Sequence, residues 1–230
     1  MRMPVVAALL GMLAGCQKQE RHQRNQPVTV VYTTASAAPE PAPSASPAPE
    51  VPLLELSTVG PAGVPGAALA VGKLHTALRW RDGAGDNLLV MAKLDIPSDA
   101  SEFVRIDHFR ETPAGLTLVR SVRDGGQCLD DGGVDYRDQA IGLTDVDADG
   151  IGEITFAYRL ICTTDVSPGE VKLLLLENGD KYILRGIERL TEDGQKLGGQ
   201  FIPDGFGAAP AGFLERAHVV WERIIDREPI

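Results

Sequence analysis

Residues 171–190 read VKLLLLENGDKYILRGIERL, and they leave the chain little choice of fold. An apolar run meets Asn178-Gly179-Asp180 and is followed by an alternating run. Asn-Gly tolerates the positive φ angles that a tight hairpin turn requires, so the two runs must lie side by side and antiparallel. The pattern recurs upstream. KLHTALRWRD (73–82) sets Leu74, Thr76, Leu78 and Trp80 against His75, Arg79 and Arg81, turns through Asp82-Gly83 and Gly85-Asp86-Asn87, and returns as NLLVMAKLDI (87–96). EFVRIDHFRE (102–111) and LTLVRSVRD (116–124) flank Pro113-Ala114-Gly115. Only at the end does the period change. Phe213, Leu214, Ala217, Val220, Trp221, Ile224 and Ile225 fall at helical spacing, with Glu215, Arg216, Glu222 and Arg223 on the other face. Pro210 suits a first helical turn. The expected fold is mainly β (α+β): an antiparallel sheet or sandwich of hairpins with one C-terminal amphipathic helix packed on it. No internal repeat points to a propeller or solenoid.

Between AIGLTD and EITFAYRLIC lies a loop of unusual charge, DVDADGIGE. Asp145, Asp147 and Asp149 take loop positions 1, 3 and 5, Gly150 position 6 and Glu153 position 9. Alternate residues of a tight loop can aim their carboxylates at one centre, and the carbonyl of Ile151 at position 7 can add an oxygen. Calcium accepts six to eight such oxygens at roughly 2.3–2.6 Å, whereas magnesium prefers fewer carboxylates and more waters. Without an ion the carboxylates repel at distances well inside the Debye length of about 8–10 Å. Position 12 is Phe156 and the flanks are strand-like, so this is no EF-hand. The loop resembles the D-x-D-x-D-G-x-x-[DE] loops of calcium-binding β-hairpins in integrin-type repeats. Ca2+ is the expected ligand; the alternative is a solvated Asp-Gly turn. Asp130, Asp131 and Asp135 in CLDDGGVDYRD could form a second weak site or a solvated loop.

The first sixteen residues, MRMPVVAALLGMLAGC, join a basic start to a short apolar stretch and small residues. That is the build of a secretory signal peptide, too short for a permanent span of roughly 20 residues. Leu13-Ala14-Gly15-Cys16 resembles the lipobox of bacterial lipoproteins, which implies a lipid on Cys16; the alternative is an ordinary signal peptide with a chance cysteine. Gln17 rather than Asp follows, and by the same resemblance this favours the outer membrane. Residues 17–69 read as a disordered tether, rich in Pro and Ala (SAAPEPAPSASPAPEVP, 36–52), extended at about 3.1 Å per residue where polyproline II holds. VTVVYTT (28–34) reads as a loose strand-like interruption; the alternative is an added strand at an edge of the sheet. The β-rich domain is expected over 70–230. No other apolar run is long enough for a transmembrane helix.

With Cys16 assigned to lipid, Cys128 and Cys162 remain as an even pair in an oxidising compartment. They are expected to form a disulfide worth roughly 3–4 kcal/mol on the chain-entropy model; the alternative is two buried thiols. The net charge of −10 and isoelectric point near 4.9 argue against nucleic acid, whose affinity comes from Lys and Arg neutralising phosphates. His22, His75, His108 and His218 show no ligand spacing, and no nucleophile elbow, P-loop, dinucleotide fingerprint or H-E-x-x-H is present. Trp80 and Trp221 read as core residues rather than sugar-stacking platforms. No acid pair of the glycosidase kind can be selected among the many carboxylates.

DVDADGIGEITFAY, C-x-x-D-V-S-P (162–168) and VKLLLLENGDKYILRG (171–186) resemble a family of uncharacterised exported bacterial proteins. Some of its members carry the label surface polysaccharide biosynthesis protein. The resemblance runs over roughly 70–228, includes the paired cysteines and the aromatic C-terminal helix, and carries no catalytic residues across. It implies a surface-glycan setting. The function expected from the sequence is a lipid-anchored cell-envelope protein, facing periplasm or surface, whose calcium-stabilised β domain is a non-enzymatic module binding a glycan or envelope protein. The alternative is an enzyme or accessory factor in surface polysaccharide biosynthesis.

Overall fold

A computed structural model of the chain describes residues 54–69, 72–96, 101–127, 133–162 and 167–227. The architecture is mainly β with one C-terminal helix, as the turn chemistry and periodicity require. Strands β1 (Ser57–Thr58), β2 (Lys73–Asp82), β3 (Gly85–Ile96), β4 (Ser101–Thr112) and β5 (Gly115–Gln127) form one antiparallel meander in that order, with a one-turn helix α1 (Gly66–Leu69) between β1 and β2. The second sheet holds β6 (Gly133–Tyr136), β7 (Gly142–Thr144), β8 (Glu153–Ile161), β9 (Glu170–Glu177), β10 (Asp180–Ile187) and β13 (Phe201–Asp204). Its order is β13-β10-β9-β8-β6, with β7 also paired to β8. β11 (Arg189–Glu192) and β12 (Gln195–Gly198) make a separate ribbon. Each of the three hairpins expected from sequence is present.

The two sheets pack face to face. Leu78, Trp80, Leu89, Met91, Val104 and Ile106 of the first meet Ile154, Phe156, Tyr158, Leu174, Leu176 and Ile183 of the second in the main core. The second sheet is apolar on its outer face too, which is why LLLL in β9 does not alternate with polar residues. Ala157, Val171, Leu173 and Leu184 lie under the helix α2 (Phe213–Ile224) and contact its Ala217, Val220, Trp221 and Ile224. The expected apolar stripe is thus buried, except for Leu214, which is 42% exposed. Trp221 Nε1 donates to Gly199 O at 2.8 Å and Phe201 stands edge-on to its ring. Pro210 lies before the helix, not in its first turn; Gly212, at φ +90°, is the N-cap.

The boundary of the tether is corrected by the packing. Residues 54–69 were expected in the tether, yet they belong to the folded unit. Leu54 and Leu56 pack on the main core, and Val59, Val64, Ala68 and Leu69 cover Ala77, Leu88 and Val90 on the outer face of the first sheet. Composition misleads here because an apolar residue recurs every few positions between the Pro and Gly residues, enough to cover a sheet face. β1 also pairs the edge strand β2, Ser57 opposite Arg79 and Thr58 opposite Leu78, which satisfies backbone groups that an open edge would expose. Residues 1–53, with Cys16, VTVVYTT and the Pro/Ala-rich stretch, lie outside the described residues. Among the described residues no helix is long and apolar enough to cross a membrane.

A charge network closes the far side of the second sheet. Glu188 is almost fully buried and accepts from Arg137, from Arg159 Nη1 at 3.0 Å and from the Gly169 N–H at 3.0 Å. Cys162, just past β8, is disulfide-bonded; Cys128, its expected partner, lies outside the described residues.

Trp221→Ala should remove the side chain that locks α2 to the second sheet. The expected loss is about 3–5 kcal/mol of unfolding free energy, the usual range for truncating a buried aromatic, measured by urea titration against the parent protein.

Candidate metal centre

The acidic loop joins β7 to β8, two strands that pair antiparallel with Thr144 opposite Glu153. Ala148 at φ 61° and Gly150 at φ +84° let the backbone reverse twice in a few residues. Loop N–H groups orient the carboxylates. Gly150 N donates to Asp145 Oδ2 at 3.1 Å, Asp149 N to Asp147 Oδ1 at 3.3 Å, and Ile151 N to Asp149 Oδ1 at 2.7 Å. The oxygens of Asp145, Asp147 and Asp149 lie within 4.8 Å of one another. Asp147 and Asp149 are exposed, Asp145 and Ile151 half-buried.

Glu153 stands apart from the other loop acids in its burial, at 0% exposure. Its Oε2 accepts from Val146 N at 2.9 Å and Thr144 Oγ1 at 3.0 Å. Its Oε1 is buried with no partner among the described residues, as are Asp145 Oδ1 and Glu177 Oε1. Glu153 does not join Asp145 and Asp149 in one set; it groups instead with Asp147 and Glu177, again within 4.8 Å. Glu177 is the residue that sequence reasoning missed. It ends β9 beside the Asn178-Gly179 turn, and the register that pairs Ile154 with Leu176 brings it next to Glu153. A carboxylate closing an apolar run at a turn was the signal available.

Burial first, and then the charges of Glu177 and Asp147, push Glu153 up to about 7 from an ordinary 4.5. Glu177 is likewise pushed up to about 7, by burial and then by Asp147, Asp149, Asp180 and Asp145. Positive charge close by is sparse. Arg216 of α2 attracts Glu153, but its Nε is itself buried without a partner, and burial lowers its pKa.

The rest of the fold holds this corner in place. Gly83 N in the β2–β3 turn donates to Gly150 O at 2.6 Å, and Gly152 N donates to Asp82 Oδ2 at 3.2 Å. Trp80 Nε1 donates to the same Asp82 oxygen at 2.9 Å. Arg110 bridges the turns, donating to Ala84 O and, at 3.0 Å, to Asn178 Oδ1. A side chain at Gly212 would meet Val146 Cγ1 at 2.8 Å, so the start of α2 also presses on the loop.

The second site considered around Asp130, Asp131 and Asp135 finds no support at Asp135. Lys93 Nζ and Arg159 Nη2 hold its two oxygens at 2.9 and 3.0 Å, so its charge is already matched within the fold. Asp130 and Asp131 lie outside the described residues. The histidines of the folded unit do not gather at the corner: His75 stacks on Tyr136 and meets Asp138, His108 stacks on Trp80 and meets Asn87, and His218 stands edge-on to Phe201. Trp80 and Trp221 are both core residues. Comparison of the chain with protein-family models, with curated proteins and with solved structures finds no match.

A carboxylate whose folded pKa exceeds its unfolded value binds its proton more tightly in the fold, so stability falls as pH rises between the two values. With Glu153 and Glu177 both near 7 against 4.5, the metal-free protein should lose stability between about pH 4.5 and 7. A fall in thermal midpoint of at least about 5 °C across that window in chelator is expected. The double substitution E153Q/E177Q should flatten it.

Proposed function

We propose that the chain is an exported protein, anchored to a bacterial membrane by lipid on Cys16. Its β-sandwich is clipped by Ca2+ at the loop, on Asp145, Asp147, Asp149 and the Ile151 carbonyl, with Glu153 in the adjoining group it forms with Asp147 and Glu177. In this reading it is a non-enzymatic binding or structural module of the cell envelope, facing a glycan or another envelope protein. One observation carries the metal assignment: buried carboxylate oxygens of Asp145, Glu153 and Glu177 have no partner, at a corner crowded with further acids. A buried ionised group left unpaired costs several kcal/mol, and a hard cation supplies what oxygen ligands lack.

Calcium fits this donor set better than magnesium, which keeps more of its water and takes fewer carboxylates. The carboxylates sit where three turns meet, so an ion there joins strand ends of both sheets. That is the work of a structural clip. The lipid anchor is supported by Leu13-Ala14-Gly15-Cys16. Export is supported by the disulfide at Cys162, since such bonds persist in oxidising compartments; Cys128 is its proposed partner.

Extracellular calcium modules have dissociation constants of around 10⁻⁴–10⁻³ M. At 10 mM Ca2+ a site at the tight end stabilises by about 2.7 kcal/mol, or roughly 5–10 °C in thermal midpoint. Chelator-stripped protein melted with and without 10 mM Ca2+ should show that rise, and Asp147→Asn should abolish it. An unchanged midpoint in the parent protein would discard the calcium reading.

A further inference from the structure

The acids of this corner do not form one ligand set. Oxygens bound to a single calcium ion each lie roughly 2.3–2.6 Å from it, so no two can be more than about 5 Å apart. Among the described residues two sets meet that geometry: Asp145, Asp147 and Asp149, and Asp147, Glu153 and Glu177. They share only Asp147. The first is a loop set, open to solvent on Asp147 and Asp149. The second is rooted in the sheet. Glu153 opens β8 and Glu177 closes the adjacent β9, and like charges at neighbouring strand positions destabilise a sheet. Glu153 is fully buried, two donors fix its Oε2, and its Oε1 is left without a partner, as is Oε1 of Glu177.

We propose that the corner holds two divalent cations bridged by Asp147: an outer ion on Asp145, Asp147 and Asp149, and an inner ion on Asp147, Glu153 and Glu177. The inference rests on the calcium reading of the loop and extends it to a ligand from another hairpin. Five carboxylates converge here. One calcium ion neutralises two of their charges, a second neutralises two more, and Arg216 attracts Glu153 from the helix side. The inner ion turns a repulsive contact between β8 and β9 into a cross-strand bridge. It also completes the coordination of a buried oxygen that no N–H or hydroxyl among the described residues reaches.

Terbium, which takes the same oxygen donors, gives a direct count. Trp80 lies beside the loop, its Nε1 3.3 Å from where a Cβ on Gly152 would stand, and serves as the sensitiser. The full chain, stripped with chelator, is titrated with Tb3+ while emission is read under tryptophan excitation. Two ions per chain are expected, with one each in Glu177→Gln and Asp149→Asn and none in the double variant. Circular dichroism checks that each variant is folded. In the unsubstituted chain, a Tb3+ and Eu3+ mixture should show energy transfer between adjacent ions, and this arm does not depend on any variant folding. A single ion in the parent, unchanged in number by Glu177→Gln and without Tb-to-Eu transfer, overturns the inner position and leaves the loop site standing. No ion at all overturns both.

Discussion

The second sheet has no face for water. β8 and β9 are apolar on both sides, so one side must meet the other sheet and the opposite side must be roofed by α2. That requirement sets the layers and also the ends. With Ala157, Leu173 and Leu184 under the helix and Phe156, Leu174 and Ile183 in the sandwich, the strands have no freedom to slip, since a one-residue shift would turn every side chain to the wrong face. Glu153 and Glu177 are brought side by side by this register rather than by any attraction between them. Apolar packing therefore holds an electrostatic arrangement that would otherwise fly apart.

What was legible in the sequence was local. Turn dipeptides and strand periods placed β2 to β5 and β9 to β10, and helical spacing placed α2, because each signal spans a handful of adjacent residues. Asp145, Asp147 and Asp149 were legible for the same reason: they sit on alternate positions of one loop. What was not legible depends on partners far along the chain. β13 returns beside β10, and β6 and β7 share one side of β8. Glu177 joins the acidic corner only through the pairing of β8 with β9. Asp135 resembled a candidate ligand until Lys93 and Arg159 were found on it. Residues 54–69 carry a loop-like composition, yet their scattered apolar side chains find a sheet face.

The electrostatics of the corner are arranged by backbone rather than by basic side chains. Loop N–H groups fix one oxygen each on Asp145, Asp147 and Asp149, while Val146 and Thr144 fix one on Glu153. Of the basic residues nearby, Arg110 and Arg120 donate to carbonyl and amide oxygens of neighbouring turns, and Arg216 is drawn toward Glu153. Such an arrangement orients the carboxylates without neutralising them. It is stiff because Gly83, Asp82 and the start of α2 all bear on the same loop.

Leu54 packs on the main core against Gly152, whose added Cβ would stand 3.1 Å from Leu54 Cδ1. Force applied to the backbone at Leu54 would therefore load the main core at Leu54 and Leu56 and then the two-residue β1. Leu54 and the acidic corner are neighbours. An ion that stiffens the corner would also resist the peeling of Leu54 and β1 under load.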